Sequence, residues 1–428
     1  MKKLLDDINN DKIWYCPLPF NHIYSDSDGS WMPCCHAKSS RNPDNTKVNT
    51  SNTAMLDWWK SDTMNNIRNE MLGKSTRTEA TDYYCHKCKK QESDGVKSSR
   101  MEWRDTITKR LFKEDSHARN TLIATDSYND YNEIDLSDND GRFLELKLRI
   151  FGNLCNLSCY MCWPNNSSTR IKDISKMSKE TQFNLFRDSS ITQIRKPKLI
   201  AKVDADQFIK SLEQIKQISH LISSIKITGG EPLIMDSHYK LLDILIESDD
   251  AKYISLNYQT NLTKFSRGEK AFFKYMKEFH SISLNISIDS VGEYDEYIRK
   301  NGNTKIVDAN IAKLKKHDNI GVNISNTVSM LSVLQHVQFI KKYSGFPTHC
   351  FVLTNPTYLN IKHLPDKIKE RLLKEIDHDN IVNMLKQPRD DKEFQKAVKY
   401  CLELDLLYKR KRGIFDLWPE LKEYYCVY

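Results

Sequence analysis

FLELKLRIFGNLCNLSCYMC, residues 143–162, decides the architecture of this chain. Its first part alternates Leu144, Leu146 and Leu148 with Glu145, Lys147 and Arg149, the period of a half-buried strand. The strand ends at Ile150, and a loop bearing three cysteines follows directly. Further strands are predicted at Ile222–Thr228, Tyr253–Tyr258, Ser281–Ile288, Ile320–Ile324 and Cys350–Leu353. Most gaps hold an amphipathic helix, as at Tyr239–Ile246 and Val307–Lys316. Repeated strand, helix, strand units mean a parallel sheet and an α/β fold. Six such strands fit a partial (β/α)6 TIM-like barrel better than a flat doubly wound sheet, although periodicity does not separate the two. The gap from Trp163 to Leu221 is longer and carries a polar insertion.

The chain has 428 residues, enough for two or three domains at roughly 150 residues each. With 39% hydrophobic and 10% aromatic residues it has the material for a core, which excludes a disordered chain. No run approaches the length of a membrane span, and the opening Met1–Lys12 lacks the apolar core of a signal peptide, so a cytoplasmic protein is expected. Eleven cysteines in such a protein are kept for metal ligation, catalysis or burial. The formal charge of +8 permits a basic face, but most of the lysines read as solvated surface. Residues 125–142, rich in Asp, Asn and Ser, read as a linker between a cysteine-rich amino-terminal domain, 1–124, and the barrel, 143–360. A Lys-rich helical extension, 361–428, closes the chain.

Cys155, Cys159 and Cys162 fall within eight residues. Three thiolates on one loop can hold a corner of an iron–sulfur cubane and leave its fourth iron without a protein ligand. A structural zinc site would need a fourth ligand, and no Cys or His follows Cys162 at the usual spacing. Two more motifs end predicted strands: Thr228-Gly229-Gly230-Glu231-Pro232, where glycines permit close backbone approach and a carboxylate can hold an ammonium, and Ser287-Ile288-Asp289. Carboxyl ends of parallel strands are where such sheets build sites.

The spacing C-x3-C-x2-C after the first barrel strand closely resembles the radical S-adenosylmethionine (SAM) superfamily, and FGNLCNLSCYMCWPNNSS is similar to its branch with SPASM or twitch accessory domains. The resemblance implies a 4Fe-4S cluster on Cys155, Cys159 and Cys162, with SAM chelating the unique iron and an electron donor of flavodoxin or ferredoxin type. Reduction would split SAM to methionine and a 5'-deoxyadenosyl radical that abstracts hydrogen from substrate. Gly229, Gly230, Glu231 and Pro232 match the family's GGEP motif for the SAM amino group. Ser287 and Asp289, with Arg299 one helix onward, match the place of its carboxylate contacts. Asn261 and Asn326, at the ends of the third and fifth strands, are candidates for completing the pocket near ribose or substrate.

The amino-terminal segment from Cys16 to Cys34, Cys35 and His36 reads as two short strands around a turn at Asp28-Gly29; Cys85 and Cys88 follow a helical stretch. Four thiols of this kind suit either zinc or an iron–sulfur cluster. Cys16, Gly29 and Cys34 are similar to the opening of a SPASM or twitch domain, and Cys85-x2-Cys88 matches its continuation, which implies an auxiliary cluster, of 4Fe-4S type, on Cys16, Cys34, Cys85 and Cys88. Cys35 is the alternative to Cys34, and His36 and His86 are further candidates. The later cysteines of a full SPASM pattern are missing, so the shorter twitch form with one cluster is indicated; the family usually places this domain after the barrel, whereas here it precedes it. The tail RGIFDLWPEL resembles the ends of twitch-domain proteins, some of them encoded by bacteriophages.

The expected function is therefore a radical SAM enzyme whose substrate is a peptide, a protein or a small molecule, the first two leading. The competing reading is a zinc-dependent RNA-binding protein, with Tyr83, Tyr84, Lys87, Lys89 and Lys90 as its recognition patch. It leaves the cysteine triplet and GGEP unexplained, so a nucleic-acid partner is not expected.

Overall fold

Leu144, Leu146 and Leu148 lie in a strand and are buried, as their alternation requires. The computed structural model describes residues 2–426 apart from 27–28, 39, 42–46, 51, 77, 112–114, 127–141, 150–151, 188–204 and 266–267. The expected linker, except Thr125, Asp126 and Arg142, lies outside the described residues. In chain order the strands are β1 His22–Ser25, β2 Trp31–Met32, β3 Leu144–Leu148, β4 Ser158–Cys159, β5 Ile222–Ile227, β6 Ser255–Thr260, β7 Ser281–Ser287, β8 Arg299–Lys300, β9 Ile320–Val328 and β10 Thr348–Val352. All six predicted barrel strands are present, as β3, β5, β6, β7, β9 and β10, and the fold is α/β.

The residues form two units, the first comprising Met1–Gly152, Ile200–Tyr258 and Ser266–Ile282. Here β3, β5 and β6 run parallel, with Leu146 opposite Ile225 and Ile227 opposite Tyr258. Helices Ala205–Gln217 and Asp236–Glu247 supply the crossovers, the latter burying Tyr239, Leu241, Leu242 and Leu245. β1 adds to the sheet beside β3, parallel to it, and pairs antiparallel with β2 on its other side. The turn between β1 and β2 needs Gly29, whose φ is +78° and where a Cβ would collide with the Thr50 hydroxyl.

The second unit comprises Asn153–Leu199, Gln259–Phe265 and Ser283–Tyr428. β9 and β10 pair in parallel from Ile324–Thr348 to Val328–Val352. β4 and β8 form a two-residue antiparallel ladder. The carboxyl-terminal helices Asp366–Glu375, Asp379–Leu385 and Asp391–Tyr408 bury Phe394, Ala397, Val398, Cys401 and Leu404 in one core with Tyr160, Ile298, Leu331 and Trp418. The expected helical extension is thus part of this core.

Candidate active site

The triplet loop is fixed from both ends. Asn153 accepts at its carbonyl from the Ser168 amide (2.8 Å), and the Ser168 hydroxyl accepts from the Cys155 amide (3.2 Å). Thr169 donates to the Cys155 carbonyl (2.6 Å). Ser167 caps helix Ser168–Ile174 and donates to the Leu157 carbonyl (2.8 Å), which ties the loop's middle to its exit. Cys159 sits in β4 opposite Arg299 of β8, and the Cys162 amide donates to the Cys159 carbonyl (3.0 Å). Tyr400, from the long carboxyl-terminal helix, donates to the Tyr160 carbonyl (2.6 Å) and stacks on the Tyr160 ring.

Burial pushes the Cys159 thiol far above its ordinary range, and Arg299 pulls against that shift while Cys162 and Cys155 add to it. Cys155 and Cys162 therefore both lie within electrostatic reach of Cys159, which also has a guanidinium beside it. Arg299 donates to Asp289 (2.6 Å), a carboxylate only 1% exposed whose second oxygen accepts from the Thr327 amide (2.8 Å). Asp295 accepts from the amides of Asp289 and Ser290 (2.8 and 3.0 Å), and burial pushes its own carboxyl up. Asn326 donates to the carbonyls of Ile288 and Asp289 (3.1 and 2.9 Å), so it secures the end of β7. Ser287 accepts from Gln259 (2.8 Å).

Asn261 donates to Asn156 (3.1 Å), with its amide nitrogen 4.0 Å from the Cys155 sulfur. Asn156 donates in turn to Thr263 (2.8 Å), and Leu262 between them takes the left-handed φ of 52°. Sequence reasoning named Asn261 but missed Asn156 and Thr263, since nothing in their spacing distinguishes them from other polar loop residues.

The GGEP loop lies in the first unit. Gly229 has φ +113°, and a Cβ there would stand 3.2 Å from the Gly152 carbonyl oxygen, so the position is reserved for glycine. Glu231 is 1% exposed and accepts from the Leu233 amide (3.1 Å), capping the short turn Pro232–Ile234.

In the same unit Cys16, Cys34, Cys85 and Cys88 line one cavity with Trp14, His36 and Arg100. Burial pushes the Cys16 thiol well up, and Cys34, Cys85 and Cys88 each push it further. Cys34 is pushed up to about 12, chiefly by burial. Cys35 instead is exposed and lowered to about 7: burial would raise it, but a hydrogen bond from His36 and the charge of Lys147 outweigh that. Among the described residues no three Cys, His, Asp or Glu side chains converge closely enough to hold a single metal ion. Zinc at about 2.3 Å from each sulfur would need its ligands tightly closed. Four thiols lining one cavity, with Cys16 in electrostatic reach of the other three, fit a cluster, whose ligands stand further apart.

Three thiols are thus pinned on one loop and four line a cavity, in an α/β fold with parallel strands. The profile of the radical SAM superfamily matches residues 150–340, and that of the iron–sulfur cluster-binding SPASM domain matches residues 16–89. Residues 150–340 thus carry a radical SAM domain and residues 16–89 a SPASM domain. These domains imply a 4Fe-4S cluster with SAM and an auxiliary iron–sulfur cluster, which removes the zinc reading of the amino-terminal thiols. No curated protein matches the chain. Similar solved structures include anSMEcpe with bound AdoMet, at 16% identity over 56% of this chain and 60% of that one, TM-score 0.36. Another is SuiB of Streptococcus suis bound to S-adenosylmethionine, at 13% identity over 82% of this chain and 71% of that one, TM-score 0.35. The chain thus spans about three fifths of anSMEcpe. Among the described residues no helix is long and apolar enough to cross a membrane.

Proposed function

We propose that the protein reductively cleaves SAM and uses the resulting 5'-deoxyadenosyl radical to abstract hydrogen from a peptide or protein. The observation that carries this reading is the pinned loop of Cys155, Cys159 and Cys162, in which Cys159, opposite Arg299, lies in electrostatic reach of both other thiols. The bound cluster and SAM would supply one-electron reduction and a primary carbon radical. Cys155, Cys159 and Cys162 hold the cluster. Arg299, kept in place by Asp289, and the hydroxyl of Ser287 serve the SAM carboxylate, while Glu231, with the backbone of Gly229 and Gly230, serves its ammonium. Asp289 acts here as a positioning residue, because its two oxygens accept from Arg299 and from the Thr327 amide.

Cys16, Cys34, Cys85 and Cys88 hold the auxiliary cluster, with Cys34 favoured over Cys35 by its place in the cavity. Four protein ligands would suit it to electron transfer, fed or drained by a cytoplasmic donor of flavodoxin or ferredoxin type. Solved structures of similar proteins include anSMEcpe with a bound Kp18Cys peptide and SuiB bound to the precursor peptide SuiA. The test is anaerobic reconstitution followed by dithionite and SAM. The parent protein should release 5'-deoxyadenosine, and joint replacement of Cys155, Cys159 and Cys162 by Ala should abolish release while the auxiliary cluster's spectrum persists. Undiminished release from the triple variant would sink the assignment.

A further inference from the structure

The polar face of the first unit's sheet carries a feature that the cysteine sites do not use. Register aligns Tyr24 of β1, Lys147 of β3, Lys226 of β5 and Asn257 of β6 in one row. Side chains at paired positions project to the same face, so two ammonium groups stand directly opposite each other. Like charges in that relation are unfavourable and need an external reason.

Among the described residues no carboxylate neutralises the pair; the thiol of Cys35, in electrostatic reach of both, offsets it only in part. Glu145, two residues before Lys147 on the same strand, is engaged by His117 (3.3 Å), and Arg149, two residues after it, is paired with Asp26 (3.0 Å). Elsewhere in this unit lysines have their own acids, as in Lys210–Asp57 (2.6 Å) and Lys252–Asp249 (2.6 Å). Among the described residues neither Lys147 nor Lys226 has a carboxylate partner. Lys147 lies 5.1 Å over the Tyr24 ring, a contact that steadies its stem without cancelling its charge. Lys226 is exposed, yet partial desolvation and then the charge of Lys147 press its ammonium toward losing its proton, with Cys35 pulling the other way, and an anion bound between the two lysines would relieve the pair further.

We propose that Lys147 and Lys226 form an anion-recognition site that holds a substrate carboxylate, borne by an acidic residue of the peptide. The inference rests on the peptide part of the function proposed above. Asn257, next in the row, adds an amide donor for the second oxygen of the carboxylate. The site thereby selects acidic over neutral or basic segments by charge, and its affinity falls with added salt.

The test uses the anaerobically reconstituted full chain and fluorescein-labelled octapeptides of alternating glycine and glutamate, glycine and glutamine, or glycine and lysine, followed by fluorescence anisotropy. The glutamate peptide should bind at least about tenfold more tightly than the glutamine peptide, on the scale of hydrogen bonds to charged groups. The double variant K147Q/K226Q should lose that preference, while K226R keeps it within about threefold because the charge remains. Iron content and the visible spectrum establish that the double variant is folded and loaded. Absence of a preference for glutamate in the parent, or its persistence in the double variant, would overturn the proposal. So would competition by inorganic phosphate where glutarate fails, which would make the pair a phosphate site. Loss of SAM affinity with peptide binding intact would assign the pair to SAM and overturn it as well. Failure of the parent to cleave SAM refutes the enzymatic reading separately, since the binding assay contains no reductant.

Discussion

Replacing Arg299 by Met isolates the contact that links the end of β7 to the cysteine loop. The variant leaves Asp289, 1% exposed, with one oxygen still accepting from Thr327 and the other without its guanidinium partner. Breaking a buried pair from one side costs about 3–5 kcal/mol, because the remaining charge stays desolvated and uncompensated. Removing both charges in R299M/D289N should cost far less, roughly 1 kcal/mol, since Asn at 289 still offers an oxygen to the Thr327 amide. The difference, roughly 2–4 kcal/mol, is the part of the R299M loss that comes from the stranded carboxylate. Hydrogen exchange read on peptides spanning 286–300 and 325–329 measures local opening without assuming two-state unfolding of the chain. A loss near 3 kcal/mol appears as exchange about 150-fold faster in R299M, most of it recovered in the double variant. Exchange that is equally fast in both variants would refute the reasoning, because the damage would then be lost packing and not a stranded charge.

At Gly229 the change to Ala forces a residue with a Cβ into φ +113° with 3.2 Å to the Gly152 carbonyl oxygen. A penalty of about 1–3 kcal/mol is expected for the strain, with SAM affinity reduced more than iron content; calorimetric titration of SAM against the loaded protein checks it, and equal affinity would show the loop to be a tolerant turn. Cys35→Ser should retain the auxiliary cluster's spectrum in a background lacking the triplet, whereas Cys34→Ser should lose it, because only Cys34 faces the cavity with Cys16, Cys85 and Cys88. The opposite pattern in electron paramagnetic resonance would reverse the ligand assignment.

Strand positions were readable wherever one face is buried and the other polar, as along Leu144–Leu148. β9 was expected to stop at Ile324 but continues to Val328, because Asn326, a weak strand former, is held there by donating to the carbonyls at the end of β7 and the added residues pair with β10. The pairing of β1 with β3 was not readable: the partners are more than a hundred residues apart, and a four-residue strand buried throughout shows no alternation. In the site, cysteines announced themselves by rarity and spacing. Asp289 was legible as a strand-end carboxylate, yet its use as the holder of Arg299 depends on two turns of chain that fold back, which no local pattern encodes.

The two sets of thiols meet the same physical demand in different ways. A thiolate taken out of water without a counter-charge is strongly disfavoured, which is why burial pushes Cys16, Cys34 and Cys159 upward. At the triplet the chain itself contributes Arg299, a cation opposite Cys159 that offsets part of the burial penalty although Asp289 shares its charge. At the amino-terminal cavity Cys34, Cys85 and Cys88 each make deprotonation of Cys16 harder, and the backbone amide of Leu18 offsets only part of this. There iron must supply the positive charge, and ligation must release the protons. Loading of that cavity is accordingly coupled to proton release and to the packing of Cys16 and Cys88 beside it, while the triplet loop keeps its shape through Ser167, Ser168 and Tyr400, none of which depends on a metal.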